Sequence, residues 1–156
     1  MNKKKYSFSY VSESPEETKK IGKNFAKLLI AFPPLSHARV INLAGTLGAG
    51  KTTITKGFAR GVGIKKLVTS PTFVLMHRFL IKKSGYKNFF HLDAYRLSSF
   101  SDLATLGFEK ILKDPRNIVF IEWKKNVSSR KIKLCGTISL KHRAKDKRFI
   151  SIYINR

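Results

Sequence analysis

The stretch Gly45-Thr46-Leu47-Gly48-Ala49-Gly50-Lys51-Thr52 fits the pattern G-x-x-x-x-G-K-[ST] without a substitution. No other stretch restricts the fold as sharply, because such a loop works only between a strand that ends at it and a helix that leaves it. Both flanks read that way. Val40-Ile41-Asn42-Leu43 predicts a short buried strand, and Thr53-Ile54-Thr55-Lys56-Gly57-Phe58-Ala59-Arg60 predicts a helix closed by the turn Gly61-Val62-Gly63. The residue types match one chemistry: glycines let successive backbone N–H groups curl around phosphate oxygens, Lys51 reaches the outer phosphates, and the Thr52 hydroxyl suits Mg²⁺. The positive end of the helix dipole adds to this. A phosphate site running from Gly45 to Thr53 is therefore expected. A glycine-rich turn that binds nothing leaves Lys51 and Thr52 unexplained.

The rest of the chain supplies the elements around that loop. Tyr6, Phe8 and Tyr10 alternate after a basic start, Asn2-Lys3-Lys4-Lys5, and suit a strand. Ser14-Pro15-Glu16-Glu17 is a capping-box signal with proline at the first helical position. Ile21, Phe25, Leu28, Leu29 and Phe32 then recur at helical spacing until Pro33-Pro34 ends the run. The β-rich run Leu67 to Met76 and the run Phe89 to Leu97, with a reversal at Lys82-Lys83-Ser84-Gly85, predict a β-hairpin inserted after the loop's helix. Ser101-Asp102 is expected to cap a second helix through Leu112, stopped by Asp114-Pro115. Asn117 to Trp123 reads as a buried parallel strand that delivers a carboxylate, Glu122, at its C-terminal edge. Ile132, Leu134, Ile138 and Leu140, then Ile150, Ile152 and Ile154, alternate across a polar link from Lys141 to Arg148 and predict a closing antiparallel hairpin. The fold class expected is α/β: a three-layer sandwich of the P-loop NTPase kind, its central sheet mostly parallel with antiparallel hairpins.

A length of 156 residues suits one domain spanning 1–156 that buries roughly 70% of its unfolded surface. The single cysteine, Cys135, rules out an internal disulfide and reads as a strand filler in a reducing cytoplasm. No apolar run approaches the ~20 residues of a membrane span, and no signal-type apolar segment follows the basic start, so a soluble cytoplasmic protein without a membrane partner is expected. The charge stands apart: 32 Lys and Arg against 9 Asp and Glu give +23. Attraction to polyanions follows from that alone, through counterion release. A sequence-reading RNA motif such as K/R-G-F/Y-G/A-F-V-x-F/Y is absent.

With so few acids, those at strand ends draw notice. Mg²⁺ takes one or two carboxylates besides phosphates and waters. Glu122 suits that role, or that of orienting the attacking water. Asp93 is the second candidate, in the string His91-Leu92-Asp93-Ala94-Tyr95-Arg96. Thr72 lies one helix beyond the loop, where other P-loop proteins place a threonine that senses the terminal phosphate. Arg96 offers charge in cis but reads more simply as solvated. Trp123 suits stacking or packing, and His91 reads as structural. N-K-x-D, L-S-G-G-Q, H-R-D and D-F-G are all absent, which argues against Ras-type GTPases, transporter ATPases and protein kinases.

Taken together, G-T-L-G-A-G-K-T-T at Gly45 to Thr53, S-P-T-F at Ser70 to Phe73, H-L-D-A-Y-R-L at His91 to Leu97, L-G-F-E at Leu106 to Glu109 and I-E-W at Ile121 to Trp123 closely resemble the TsaE family, also called YjeE or YdiB. Order and spacing agree over nearly the whole chain. The resemblance implies a bacterial P-loop ATPase needed to form threonylcarbamoyladenosine in tRNA, one that joins TsaB and the transferase TsaD and resets their complex by ATP hydrolysis. It implies that Lys51 and the loop residues Gly45, Thr46, Leu47, Gly48, Ala49, Gly50, Thr52 and Thr53 bind ATP. Thr52 and Glu122 would hold Mg²⁺, Thr72 would be the switch threonine, Asp93 would be needed for hydrolysis, and Trp123 would lie near the nucleotide or a partner. Contact with tRNA is expected through the complex, with direct electrostatic contact left open by the charge. Lys124-Lys125 after Glu122-Trp123 departs from the family's usual proline or small residue.

Two readings from other classes stay open on sequence alone. A small-molecule or nucleoside kinase would use Arg143, Lys145, Lys147 and Arg148 as lid elements. A basic RNA-binding protein would carry a vestigial nucleotide site.

Overall fold

The computed structural model describes residues 5–82 and 85–155. The start Asn2-Lys3-Lys4 and the centre of the expected reversal, Lys83-Ser84, lie outside the described residues. Among the described residues the strands are β1 (Lys5–Ser12), β2 (Arg39–Ala44), β3 (Met76–Leu80), β4 (Asn88–Asp93), β5 (Asn117–Glu122), β6 (Leu134–Ala144) and β7 (Lys147–Asn155). The α-helices are α1 (Pro15–Ala31), α2 (Lys51–Gly61) and α3 (Phe108–Lys113), with 3-10 turns at Phe100–Leu106 and Lys124–Val127.

The strands form one sheet in the order β1-β7-β6-β2-β5-β4-β3. Its centre is parallel: β2 pairs with β5 and β6, and β4 with β5. The outer pairings β1–β7, β6–β7 and β3–β4 are antiparallel. The sheet is therefore mixed rather than mostly parallel: β3–β4 and β6–β7 are local reversals, and β1 pairs antiparallel with the distant β7. Every residue of β4 and β5 is buried, as strands covered on both faces must be.

Alternation sorts these strands between two cores. Ile41, Leu43, Phe89, Ile118 and Phe120 face α1 and α2, where Phe25, Leu29, Ile54 and Phe58 meet them. Phe58 is the centre, its ring 4.5 Å from Phe120 and 5.1 Å from Phe89. Val40, Phe90, Leu92, Val119 and Ile121 face the other way, against Leu103, Phe108 and Leu112. By the same alternation His91 and Asp93 on β4, and Glu122 on β5, belong to the face that α2 covers.

Helix α1 begins as its sequence predicts. Ser14 Oγ accepts the N–H of Glu17 at 3.2 Å, and Glu17 reaches back to accept the N–H of Glu13 at 2.7 Å. It packs on α2 through glycines: a Cβ at Gly57 would stand 2.0 Å from the Lys19 carbonyl oxygen, and one at Gly22 would stand 2.2 Å from that of Ile54.

Three sequence expectations change. The hairpin before β5 is real, but its first strand starts only at Met76. Leu67 to Leu75 is instead loop and turn, where Pro71 has no N–H for a ladder, the Val74 N–H returns to the Pro71 carbonyl at 3.0 Å and Leu75 has φ 63°. The helix from Ser101 is broken in two at Gly107, whose φ of 62° ends a 3-10 turn and opens α3. Its cap is Ser99, with the Asp102 carboxylate accepting the N–H groups of Ser98 and Ser99 at 2.8 and 2.9 Å. Finally, the polar link of the last hairpin is mostly strand: β6 runs to Ala144 and β7 resumes at Lys147. Among the described residues no helix is long and apolar enough to cross a membrane.

Candidate functional site

The carboxyl ends of three adjacent parallel strands define the site. In register, Leu43 of β2 and Asp93 of β4 both lie opposite Glu122 of β5. Ligand sites in open α/β sheets lie off this edge. Directly after β2 the glycine-rich loop begins. Gly45, Gly48 and Gly50 take φ of 149°, 75° and 102°, values a side chain would oppose, so the curl of the loop depends on these glycines. A Cβ at Gly48 would meet no atom within 4 Å, so the loop's outer turn faces open space. No side chain caps the start of α2, which leaves its first N–H groups directed at whatever lies over the loop.

Lys51, the first residue of α2, is only 7% exposed. Its ammonium donates to the carbonyls of Gly45 and Thr46, both at 3.0 Å. It also stands 3.6 Å from Glu122 Oε2 and 5.5 Å from the centre of the Trp123 ring. Glu122 is 4% exposed, and its other oxygen is 2.8 Å from Nε2 of the fully buried His91. A buried charge pair is tolerable when further hydrogen bonds satisfy it, and here both members have them.

A second pair lies beside the first. Thr72 Oγ1 donates to Asp93 Oδ2 at 2.7 Å, linking residues 21 apart in sequence, and Asp93 Oδ1 accepts the N–H of Tyr95 at 2.9 Å. Ser70 Oγ lies 2.7 Å from Thr72 Oγ1. The Arg96 guanidinium lies 5.4 Å from the Phe73 ring, which ties it to the loop that carries Thr72. Lys51, Glu122, Thr72, Asp93 and Trp123 are thus drawn to one edge. Thr52 and Thr53 follow Lys51 in the first turn of α2, each half-buried.

Sequence reading missed part of this arrangement. His91 is the buried structural histidine expected, but its partner, a carboxylate oxygen of Glu122, is not marked by any motif; its place two residues before Asp93, on the same strand face, is the available signal. Tyr95 packs on Trp123 with ring centres 5.2 Å apart. Asn126 donates to the carbonyls of Ala94 and Tyr95 at 3.0 and 3.1 Å and joins the loop after β4 to the loop after β5. No motif marks Asn126. Trp123 itself takes φ 56°, and the departure Lys124-Lys125 opens the 3-10 turn behind it. A groove of about 620 Å³ runs beside the loop between Trp123 to Lys125 and Ser139 to His142 of β6.

Fold and site define an α/β protein with a glycine-rich strand-loop-helix unit and two buried carboxylates at the carboxyl edge of a mixed sheet. The family profile described as threonylcarbamoyl adenosine biosynthesis protein TsaE matches residues 12–150, and the chain belongs to that family. Among its relatives, the tRNA threonylcarbamoyladenosine biosynthesis protein TsaE of Treponema pallidum is 34% identical over 142 residues, 91% of this chain and 97% of that one. The Bacillus subtilis protein of the same name is 40% identical over 110 residues, 70% of this chain; the match spans 62% of the relative's length. The crystal structure of Bacillus subtilis YdiB superposes with a TM-score of 0.66 at 28% identity, covering 97% of this chain and 87% of that one. The family resemblance carried by the five strings is thereby borne out.

Proposed function

We propose that this chain is the ATP-binding and ATP-hydrolysing component of the cytoplasmic machinery that makes threonylcarbamoyladenosine in tRNA. It has the P-loop NTPase fold and acts with TsaB and TsaD to reset the transferase complex, without performing the transfer. One observation carries the reading: the buried pair Lys51 with Glu122 and the part-buried pair Thr72 with Asp93 lie side by side at an uncapped helix start.

The residues present suit ATP with Mg²⁺. The glycine loop opens a concave run of N–H groups toward phosphate, and Mg²⁺ bound with phosphates needs few protein oxygens, which Thr52 and Glu122 provide. An all-protein cage is not required, and the described residues hold no group of three or more His, Cys, Asp and Glu suited to one. When bound, the ion neutralises charge on the phosphate oxygens. Lys51 sits within reach of the outer phosphates, pre-placed by the Gly45 and Thr46 carbonyls. Asp93, fixed by Tyr95 N–H and Thr72, orients water, and Thr72 couples the loop from Ser70 to Leu75 to what occupies the site. Partner dependence draws support from the rim, where Leu47 is 92%, Phe73 84%, Tyr95 59% and Val74 55% exposed, an apolar surface around a polar site.

The test is phosphate release from ATP by the purified chain, alone and with TsaB and TsaD of its own organism. Slow turnover that rises with both partners, and disappears in Lys51→Ala, is the expected result. Full turnover in Lys51→Ala, or phosphoryl transfer to an added acceptor in place of water, would overturn the reading.

A further inference from the structure

A strong charge asymmetry lies away from the glycine loop, on the outer surface of the α1/α2 layer. After Glu17 every charged residue of α1 is a lysine, at 19, 20, 23 and 27, and α2 carries only Lys51, Lys56 and Arg60. Helices that use lysine merely for solubility usually set acids three or four residues away; Glu16 and Glu17 stand so toward Lys19 and Lys20, but Lys23, Lys27, Lys56 and Arg60 have no acid at that spacing. The glycine contacts at Gly22, Gly57 and Gly61 bring the two backbones together. Rows that two wider-spaced helices would hold apart therefore flank one trough.

That trough has a volume of about 760 Å³ and is lined by Lys19, Lys20, Lys23, Lys56, Arg60 and Lys66, with Gly57 in its floor, Leu67 and Val68 at one end, and one acid, Glu16. Glu16 pairs with Lys19 at 3.4 Å, and among the described residues the other five cations have no carboxylate partner. Like charges held side by side without counter-charge cost stability, and a bound polyanion relieves that cost. Lys19 and Lys23, like Lys56 and Arg60, are four residues apart, a rise of about 6 Å along each helix. This gives two pairs of cations whose backbone step is close to that of successive phosphates on a nucleic-acid strand.

We propose that this trough binds the sugar-phosphate backbone of structured RNA, by charge and shape and without reading bases. Three observations favour RNA over an acidic protein or a membrane: two pairs of cations, each spaced one helical turn apart, on facing helices, a recess in place of a flat face, and membership of a family named for a modification of tRNA. The site is separate from the glycine loop, and its occupancy does not depend on ATP hydrolysis.

The experiment uses the full chain and a short fluorescein-labelled RNA hairpin, read by anisotropy across a salt series. Wild type should bind with a steep salt dependence, and Lys51→Ala should bind equally well, which keeps this inference apart from the ATPase reading. Lys20→Glu, Lys23→Glu and Lys56→Glu combined should weaken binding about 100-fold and flatten the slope of log K against log salt by about 2 to 3. A second triple with the same net charge, Lys113→Glu, Lys133→Glu and Lys145→Glu, should lose no more than about 3-fold. Circular dichroism should show both triples folded, and the trough triple should melt no lower than wild type, since it relieves the repulsion among its lysines. Equal losses in the two triples would assign the attraction to net charge alone and end the proposal. So would the absence of salt-sensitive binding, or displacement of the hairpin by polyglutamate at equal charge concentration, which would assign the trough to an acidic protein.

Discussion

Strands β2, β4 and β5 carry polar residues at both ends, and the two ends use them in opposite ways. At the amino ends stand Arg39, Asn88 and Asn117; at the carboxyl ends stand the loop with Lys51, Asp93 and Glu122, all ten per cent exposed or less. The amino end is a clasp. Arg39 donates to the Tyr86 hydroxyl at 2.7 Å and to the Pro33 carbonyl at 2.8 Å, its guanidinium lies 5.6 Å from the Phe32 ring centre, and Asn88 donates to Asn117 at 2.8 Å across the parallel pair. The buried Arg39 charge is met by neutral oxygens and a ring from two segments, Phe32-Pro33 and Tyr86, so it joins the chain before β2 to the chain before β4, while Arg78 donates to Asn88 at 3.0 Å. The carboxyl end gathers one cation and two carboxylates within a few hydrogen bonds of each other, beside a loop that opens outward. Neutral partners fix a fold, whereas clustered opposite charges beside an open cradle suit a ligand that brings charge of its own.

The largest expected effect sets the two ends apart by activity. Glu122→Gln keeps the volume and a hydrogen-bonding atom for His91 while removing the charge opposite Lys51. ATP turnover should fall about 100-fold or more. Stability should fall by about 3 kcal/mol, because Lys51 keeps two carbonyl partners but loses its buried counter-charge, so turnover is compared per folded molecule. Steady-state phosphate release beside a urea titration checks both halves. Unchanged turnover would remove Glu122 from the chemistry and leave the carboxyl end as structural as the amino end.

The mirror experiment is Arg39→Ala. It removes the donor to the Tyr86 hydroxyl, which keeps its own bond to the Phe32 carbonyl at 3.2 Å, and opens a cavity beside Phe32, at a cost of about 3 kcal/mol. Turnover per folded molecule should hold, since nothing joins Arg39 to the glycine loop except the length of β2. A urea midpoint equal to wild type, or a loss of turnover at full folding, would break the comparison between the ends.

The two ends also differ in how far the sequence disclosed them. The glycine loop, the strand that feeds it and the carboxylate ending β5 are local signals, each complete within a few residues, and all were legible. The clasp was not, because Arg39 and Tyr86 lie 47 residues apart and neither belongs to a pattern. At the site, Thr72 and Asp93 were legible as types but their contact across 21 residues was not. Where the expectation failed locally, backbone chemistry decided: Pro71 denied a strand its donor, and Gly107 adopted a left-handed conformation in the middle of an apparent helix. The pairing of β1 with β7, which adds a third antiparallel pair to the two hairpins, joins residues 5–12 to residues 148–155, and no local pattern encodes that.

The smallest effect tests where the charged end stops. His77 of β3 lies opposite His91 of β4, which in turn holds Glu122, so a line of titratable groups runs from the site toward the sheet edge. Burial, first, and the neighbouring His91 imidazole, second, hold His77 below the usual imidazole value of 6.5, with Lys66 adding to them and a hydrogen bond to the Thr69 backbone opposing. A histidine whose folded value is lowered takes up its proton later in the folded state than in the unfolded one. Its contribution to stability is therefore complete above 6.5 and is lost as pH falls from there through the lowered folded value. Urea midpoints measured from about pH 7.5 down to about pH 5.5 should decline, and His77→Gln should shrink that decline. The carboxylates held low by their partners, Glu13, Asp102, Glu109 and Asp114, give up their stabilisation only at more acid pH, so they do not mask it. A decline of the same size in His77→Gln would place the edge of the charged region at His91 and leave β3 to packing alone.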